Sequence, residues 1–323
     1  MKVLELFSGT HSIGKVAHRL GYEVVSLDRD LGGECPFGSG YESDTHIKAD
    51  IMTWDYKKKY KPGDFDIITA SPVCLWWSKL RNCWINRKCK KIHPTDIITK
   101  EHIQADIDRY GKPMVDKVFE IIDYFKPKFW WVENPQTGRM KEYITDKPFY
   151  DVDYCKYSNW GYKKRTRFWT NIEGFEAKKC KMDCENVIEI KTQEGDRRGK
   201  EEIKGATRKL HNNATCCGRN AKSIKSAIAK GEVVKKQHRN VLANGYEMID
   251  GKKVLCNTKE KREQLRNARK QHQKNSSKNS NWDGTGRLER YRIPEKLIED
   301  LFNSQKIAST IEKKNVVVEN ILP

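Results

Sequence analysis

The first 28 residues confine the chain to a narrow set of folds. KVLELF, from position 2 to 7, is a continuous apolar run of strand length, and a turn rich in Ser, Gly and Thr follows it. IGKVAHRLGY then repeats with helical spacing and stops at Gly21, and EVVSLD is a second apolar run ending in Asp28. Strand, glycine-bearing turn, helix and strand make a βα unit, whose next strand lies parallel to its first. The pattern continues through a Gly-rich loop (DLGGECPFGSGYES), a short run HIKADI ending in Asp50-Ile51, and the strand DFDIITAS. Residues 75–97 read as an irregular, basic, Trp-rich loop. Residues 99–125 read as an amphipathic helical region broken near Gly111-Lys112-Pro113, with Met114, Val118, Ile121 and Ile122 on one face. KFWWVEN, FYDVDYCKY and TRFWTNI supply three more strands, with Gly161 at the turn before the last. Up to residue 172 the layout predicts a doubly wound α/β sheet.

Composition bounds the partners. The chain has 323 residues, room for one domain of about 150–200 residues and a smaller second one. Its formal charge is +19, and residues 176–280 hold 27 Lys and Arg against 13 Asp and Glu, so 14 of those charges lie there. An excess so placed predicts a polyanionic partner, nucleic acid rather than a membrane. No apolar run approaches the roughly 20 residues of a membrane span. Ten cysteines in a chain that opens MKVLELF, with no signal peptide, read as reduced thiols in an intracellular compartment, cytoplasmic, nuclear or a viral factory. After Phe175 aromatic residues thin out, and RNARKQHQKNSSKNSNWDGTG reads as a mobile tract. In RLERYRIPEKLIEDLF, Pro294 can open a helix whose Leu297, Ile298, Leu301 and Phe302 pack it back on the core. The expected divisions are a catalytic core at 1–172, a recognition region at 173–286 and a returning C-terminal helix at 287–323.

Four blocks carry chemistry. Cys74 stands at the tip of the strand run ending SPVC, where a chain displays a nucleophile. Glu133-Asn134-Pro135 ends another apolar run, and Arg165-Thr166-Arg167 lies inside GYKKRTRFWTN. Upstream, FSGTHSIG lacks the G-x-G-x-x-G pattern, yet its backbone amides around Gly9 and Gly14 can meet a polar ligand at a helix N-terminus. With Asp28 to accept ribose hydroxyls and Asp50-Ile51 to meet an adenine, the strand ends predict an adenosine-containing cofactor.

LELFSGTHSIG, SPVC with Ser78 four positions after the cysteine, VENP and RTR occur in one order, and this resembles the cytosine-C5 DNA methyltransferases. The likeness covers roughly residues 1–172 and is greatest to the short phage-like and virus-like branch. It implies an α/β, Rossmann-like class I S-adenosylmethionine-dependent methyltransferase sheet with a small basic target-recognition region. It implies S-adenosyl-L-methionine as cofactor and S-adenosyl-L-homocysteine as product, held by Phe7, Ser8, Gly9, Thr10, His11, Ser12, Asp28, Arg29, Asp50, Ile51 and Pro72. It also implies double-stranded DNA as partner, acted on by a monomer. Cytosine C5 is too weak a nucleophile to take a methyl group until a thiolate adds at C6. Cys74 is the expected thiolate, and Glu133 the carboxyl group that relieves charge at N3. Asn134 would hold the loop, Arg165 contact the base O2 or orient Glu133, and Arg167 brace the loop or a phosphate. The base must be flipped out of the duplex, with Ser78 on its phosphate and the loop bearing Trp76, Trp77 and Arg81 closing over it. Trp76 and Trp77 have a competing reading as core residues, and the two arginines one as surface charge.

Three positions depart from the family pattern: Val73 stands where proline is usual, Lys163 where glutamine is, and Pro135 where valine is common. The late Gly-Asn-Ser-Val-type block is absent, and RYRIPEKLIED takes its place, expected to close the cofactor pocket. RNA cytosine-C5 methylation is the alternative activity, and a non-enzymatic nucleic-acid-binding protein the alternative from another class. Cys180, Cys184, His211 and Cys216, with Cys217, offer soft ligands, but C-x3-C beside an adjacent Cys pair is not a firm zinc spacing, so no metal is expected. Cys83, Cys89 and His93 read as free groups on the basic loop.

Overall fold

The computed structural model describes residues 1–36, 40–89, 92–191, 207–211, 246–249, 252–255 and 291–304. Cys216, Cys217 and the polar tract at 266–286 lie outside the described residues. In chain order the elements begin β1 (Lys2–Leu6), α1 (Ser12–Arg19), β2 (Glu23–Asp28), β3 (Thr45–Lys48), α2 (Tyr56–Lys59) and β4 (Ile67–Ala70). Next come β5 (Lys88–Cys89), β6 (His93–Ile97), α3 (Lys100–Asp106), α4 (Lys112–Phe125), β7 (Phe129–Pro135) and α5 (Met140–Tyr143). The remainder are β8 (Phe149–Asp153), β9 (Arg165–Thr170), β10 (Val187–Lys191), β11 (Thr207–His211), β12 (Tyr246–Ile249), β13 (Lys252–Leu255) and a helix α6 at 295–304.

Seven strands form one sheet in the order β3-β2-β1-β4-β7-β9-β8. β3, β2, β1, β4 and β7 are parallel, whereas β9 runs antiparallel to both β7 and β8. The parallel layout of the doubly wound sheet is thus modified at one edge, where β9 inserts between β7 and β8 and pairs antiparallel with both. The inner strands are buried on both faces, which is why apolar residues stand next to one another in them rather than alternating with exposed polar ones. Alternation then splits their side chains between two cores. Leu4, Leu6, Val25, Leu27, Ile68 and Val132 meet α4 on one face. Val3, Val24, Ile67 and Trp131 meet α1 and α6 on the other.

Local sequence explains the element ends. α1 buries Ile13, Val16 and Ala17 and closes in a Schellman turn, with Gly21 at φ 78, Tyr22 N donating to Ala17 O at 3.0 Å and Gly21 N to His18 O at 2.8 Å. Between α3 and α4 the chain does not break at Pro113. A π-helical turn, Ile107–Gly111, absorbs the proline's missing amide and keeps the helix running. The loop at 75–97 is also more ordered than expected, with a 3-10 helix at Lys79–Trp84 and a β5–β6 pair. α6 is held by Leu297, Ile298, Leu301 and Phe302, all fully buried.

The chain divides into two units, Met1–Cys216 with Tyr291–Pro323, and Cys217–Arg290. In the second the described residues form one antiparallel hairpin, β12–β13. Among the described residues no helix is long and apolar enough to cross a membrane.

Candidate active site

Strand order reverses between β1 and β4, so the crevice at the C-terminal ends of these strands is where an open α/β sheet takes a ligand. Phe7, Gly9 and His11 there have φ of 58°, 46° and 50°, a tightly coiled loop leading into α1. Its floor is polar. Glu5, buried on β1, accepts from Ile13 N at 3.1 Å and places a negative charge beneath the α1 N-terminus. His11 is fully buried, bonds Gly32 O through Nε2 at 2.8 Å and lies 3.6 Å from Glu5, an ion-pair contact. Burial lowers the His11 pKa, but Glu5 and the Gly32 carbonyl outweigh it and leave it above its ordinary value. Asp28 Oδ2 accepts from Gly9 N at 3.0 Å, and Oδ1 from Asp30 N at 2.8 Å and Leu31 N at 3.0 Å. Asp28 therefore ties the β1 loop to the β2 loop and keeps a lone pair of Oδ2 to spare. Asp50 caps its own turn at Met52 N, with Arg29 at 3.7 Å, and Ile51 is buried beside it. The Ser8 hydroxyl is buried without a partner among the described residues. Thr10 and Ser12 hydroxyls bond each other at 2.9 Å, and Ser12 Oγ accepts from Ile293 N at 3.1 Å, which brings the segment before α6 onto the loop.

Cys74 follows β4 in a turn, and neighbouring backbone grips it from both sides. Asn134 Nδ2, at the tip of β7, donates to Pro72 O at 2.9 Å in a buried site, and Arg139 N donates to Trp77 O at 2.8 Å. Gly138 allows that approach: a Cβ there would lie 3.1 Å from Pro135 O and 3.3 Å from Trp77 O. Val73, between the two anchors, is 42% exposed and packs on little. Burial raises the Cys74 pKa, Glu133 raises it further, and Lys164 pulls it down, so the thiol titrates above its ordinary range. Cys74 and Glu133 thus sense each other's charge across the adjacent tips of β4 and β7.

Glu133 is buried, accepts from Tyr154 Oη at 3.1 Å and has Lys164 Nζ at 3.8 Å. Burial and the Glu133 charge keep the Tyr154 phenol protonated, hence a donor. Sequence reasoning missed both residues: Tyr154 reads as the end of a strand and Lys164 as one more cation in a basic run. Arg165 and Arg167 sit elsewhere. They pair bidentately with Asp153 (3.0 and 3.1 Å) and Asp151 (2.7 and 2.9 Å), their register partners on β8. Glu133 lies opposite Phe168, so the pleat puts its side chain on the face away from both arginines. Of the two roles expected of Arg165, contacting the base O2 or orienting Glu133, the second falls here to Lys164 and Tyr154. Arg167 also covers the Phe149 ring at 3.4 Å.

The Trp-rich loop is partly core. Trp77 is 2% exposed and rests on Gly111, where a Cβ would come within 3.0 Å of its ring. Arg81 is 1% exposed, paired with Asp106, which also accepts from His93 at 2.9 Å. Trp76 stacks on Tyr110 at 4.8 Å. Ser78 caps the following 3-10 helix through Leu80 N. Burial of Trp77 and Arg81 leaves Trp76 and Ser78 as the half-exposed groups beside Cys74. Cys180 and Cys184 converge on His211 at the end of β11.

No protein-family model matches the chain. A probable DNA (cytosine-5)-methyltransferase of Frog virus 3 (isolate Goorha) is 45% identical to it over 190 residues, 58% of this chain and 79% of that protein. Among solved structures, a Spodoptera frugiperda DNMT2 mutant shares 13% identity at a TM-score of 0.32, over 55% of this chain and 53% of that one, so that the match spans about half of each.

Proposed function

The chain belongs to the DNA (cytosine-5)-methyltransferase family, and we propose that it methylates C5 of a cytosine flipped from duplex DNA, with Cys74 as nucleophile and Glu133 at N3 of the ring. One observation carries this reading above the others. Cys74, a thiol at the C-terminal edge of the central strands, is anchored through Pro72 to Asn134, the neighbour of a buried carboxylate.

The residues fit an adenosine-containing sulfonium cofactor. The orphaned Ser8 hydroxyl, the coiled loop and the remaining lone pair of Asp28 Oδ2 make a polar cradle, with Ile51 an apolar surface for an adenine. When bound, S-adenosyl-L-methionine supplies an electrophilic methyl group and leaves as S-adenosyl-L-homocysteine. Asp28, Gly9 and Asp50 would hold and orient it, and Pro72 would separate it from the thiol.

Cys74 rests as a thiol, and as its sulfur adds at C6 its proton would pass to Glu133. Electron density then moves toward N3, and Glu133, steadied by the Tyr154 hydroxyl, shares the proton that N3 takes up. Lys164 keeps Glu133 in place and eases the thiolate charge. After methyl transfer, a solvent water takes the C5 proton, the C6–S bond breaks to expel the Cys74 thiolate, and N3 gives its proton back to Glu133, which restores the aromatic ring and the free enzyme. Arg165 and Arg167, fixed by Asp153 and Asp151 on the face of β9 away from Glu133, would present their remaining N–H groups to the DNA backbone.

With tritiated cofactor and duplex DNA, Cys74→Ser should abolish transfer while S-adenosyl-L-homocysteine still binds. A 5-fluorocytosine duplex should trap wild type as a covalent adduct, and a tRNA competitor should not suppress labelling of DNA. Full transfer by the serine variant, or no adduct with cofactor present, sinks this assignment.

A further inference from the structure

Outside the active site the fold gathers a second set of reactive side chains. Cys155, Cys180, Cys184 and His211 each offer one ligand atom, and these atoms all lie within 4.8 Å of one another. Cys155 sits in the turn after β8, Cys180 and Cys184 in the link to β10, and His211 ends β11. We propose that these four residues bind a structural zinc ion that staples the first hairpin after the catalytic sheet to the strand end carrying Tyr154.

The geometry is that of a tetrahedral site before closure. Bonds of about 2.3 Å to sulfur and about 2.0–2.1 Å to nitrogen at tetrahedral angles set S···N near 3.6 Å and S···S near 3.8 Å. Cys180 Sγ and Cys184 Sγ stand 3.5 and 3.4 Å from His211 Nε2. Against the 4.8 Å outer limit of the cluster, closing on the ion takes a contraction of about 1 Å at most. Three sulfurs and one imidazole fill all four positions, leaving no open site for water, so the ion has a structural role and no catalytic one.

The surroundings are built to hold it. Backbone amides of Met182 and Asp183 turn toward the Cys180 sulfur, in a turn where Met182 adopts φ 66°. Asn186, buried, donates to Cys155 O at 3.1 Å and Ser158 O at 2.8 Å, tying the Cys184 turn to the Cys155 turn. Cys180 N donates to Asp153 at 2.8 Å, and Lys163 Nζ to Cys180 O at 2.8 Å. Three thiolates around a divalent ion carry a net negative charge, and Lys163 and Lys156 lie beside it. Such outer partners orient ligands and tune their basicity. The Lys163 that departs from the family's glutamine thereby acquires a place, at this cluster and on Asp153 (3.2 Å). Asp153 is shared with Arg165, and Tyr154 is the residue between Asp153 and Cys155. A metal here would set the strand end on which Glu133 depends.

The test uses the full chain, expressed with zinc supplementation and purified under reducing conditions without chelator. Mass spectrometry of the metal should find about one zinc per chain, and cobalt(II) exchanged into the same protein should show the intense visible bands of a tetrahedral thiolate site. Cys184→Ser and His211→Ala should each lower the zinc content at least about fivefold, whereas Cys83→Ser, an exposed thiol outside the cluster, should leave it unchanged. If the wild type is folded by circular dichroism and holds less than about half an equivalent, the proposal fails. It fails also if the two ligand variants keep wild-type zinc, or if peptide mapping finds a disulfide among Cys155, Cys180 and Cys184. The cobalt spectrum, read on wild type, needs no variant to fold.

Discussion

Asn134→Ala tests the coupling between the two strand tips that form the active site. The substitution removes the donor to Pro72 O, a buried hydrogen bond of 2.9 Å that links positions 62 residues apart. An abandoned buried carbonyl costs about 1–3 kcal/mol. For a unit of this size each kcal/mol lowers Tm by about 2–4 °C, so the variant should melt about 2–12 °C below the parent. The larger effect belongs to the reaction. With Val73 in place of a proline, the Arg139–Trp77 bond remains as the other named grip on the turn, and Cys74 gains freedom toward C6. A misplacement of about 1 Å can cost about a hundredfold in rate. Tritium transfer measured well below the variant's Tm should therefore fall by about that factor in kcat, with the KM for DNA little changed. Adding Val73→Pro stiffens the turn, and about 0.4–1 kcal/mol from that source corresponds to about a two- to fivefold recovery. A variant with lowered Tm but kcat within about twofold of wild type would refute the reasoning and reduce Asn134 to a packing residue.

Alkylation of Cys74 by iodoacetamide, followed by mass spectrometry at fixed pH, should respond oppositely to two substitutions: Glu133→Gln removes a like charge and speeds it, while Lys164→Gln removes the opposing cation and slows it. Changes of the same sign would show that neither group sets the thiol's protonation. Gly14→Ala places a methyl 2.6 Å from Glu5 Oε2, 2.6 Å from Tyr41 Oη and 3.2 Å from Val24 Cγ1, and should cost about 1–3 kcal/mol while weakening S-adenosyl-L-homocysteine binding in calorimetry. His11, facing Glu5, Cys35, Tyr41, His46 and the Gly32 carbonyl, has a raised folded pKa, so its contribution to stability is complete below its unfolded value of about 6.5 and is lost as pH rises through the folded one. Tm should decline across that interval in wild type, and His11→Gln should flatten the decline; an unchanged slope in the variant removes His11 as its source.

Parallel inner strands announce themselves because both their faces are buried. KVLEL, EVVSLD and IITA each place consecutive apolar residues on opposite faces, Val3 and Leu4, Val24 and Val25, Ile67 and Ile68, and each is followed by residues of the candidate site: Phe7–Ser12, Asp28 and Cys74. A nucleophile, a carboxylate and a Gly-bearing loop at strand ends can be read without coordinates, since the end of a buried strand is where polar groups re-emerge. The helix expected to break near Gly111-Lys112-Pro113 instead runs on, for a local reason. A missing amide ends an α-helix in isolation, but a π turn backed by Trp77 on Gly111 accommodates it.

Partnership was decided by pairing, which no single segment encodes. Arg165 and Arg167 alternate with Thr166, so one face of β9 carries them both, yet which face that is follows from the Glu133–Phe168 register. That register turned the arginines to Asp153 and Asp151 and left Glu133 to Tyr154 and Lys164. In the same way Cys155, which lies 25 residues before Cys180 and has no spacing relation to it, joins Cys180, Cys184 and His211 only because β8 ends beside the following hairpin. Sequence alone determined the strand–helix alternation and the order of the four blocks, and it singled out Cys74 and Glu133 as the candidates at strand ends, because burial and backbone conformation there are local constraints. The tertiary structure decided which charges meet and which sulfurs gather, because an ion pair or a metal site depends on distances that only strand register and packing create.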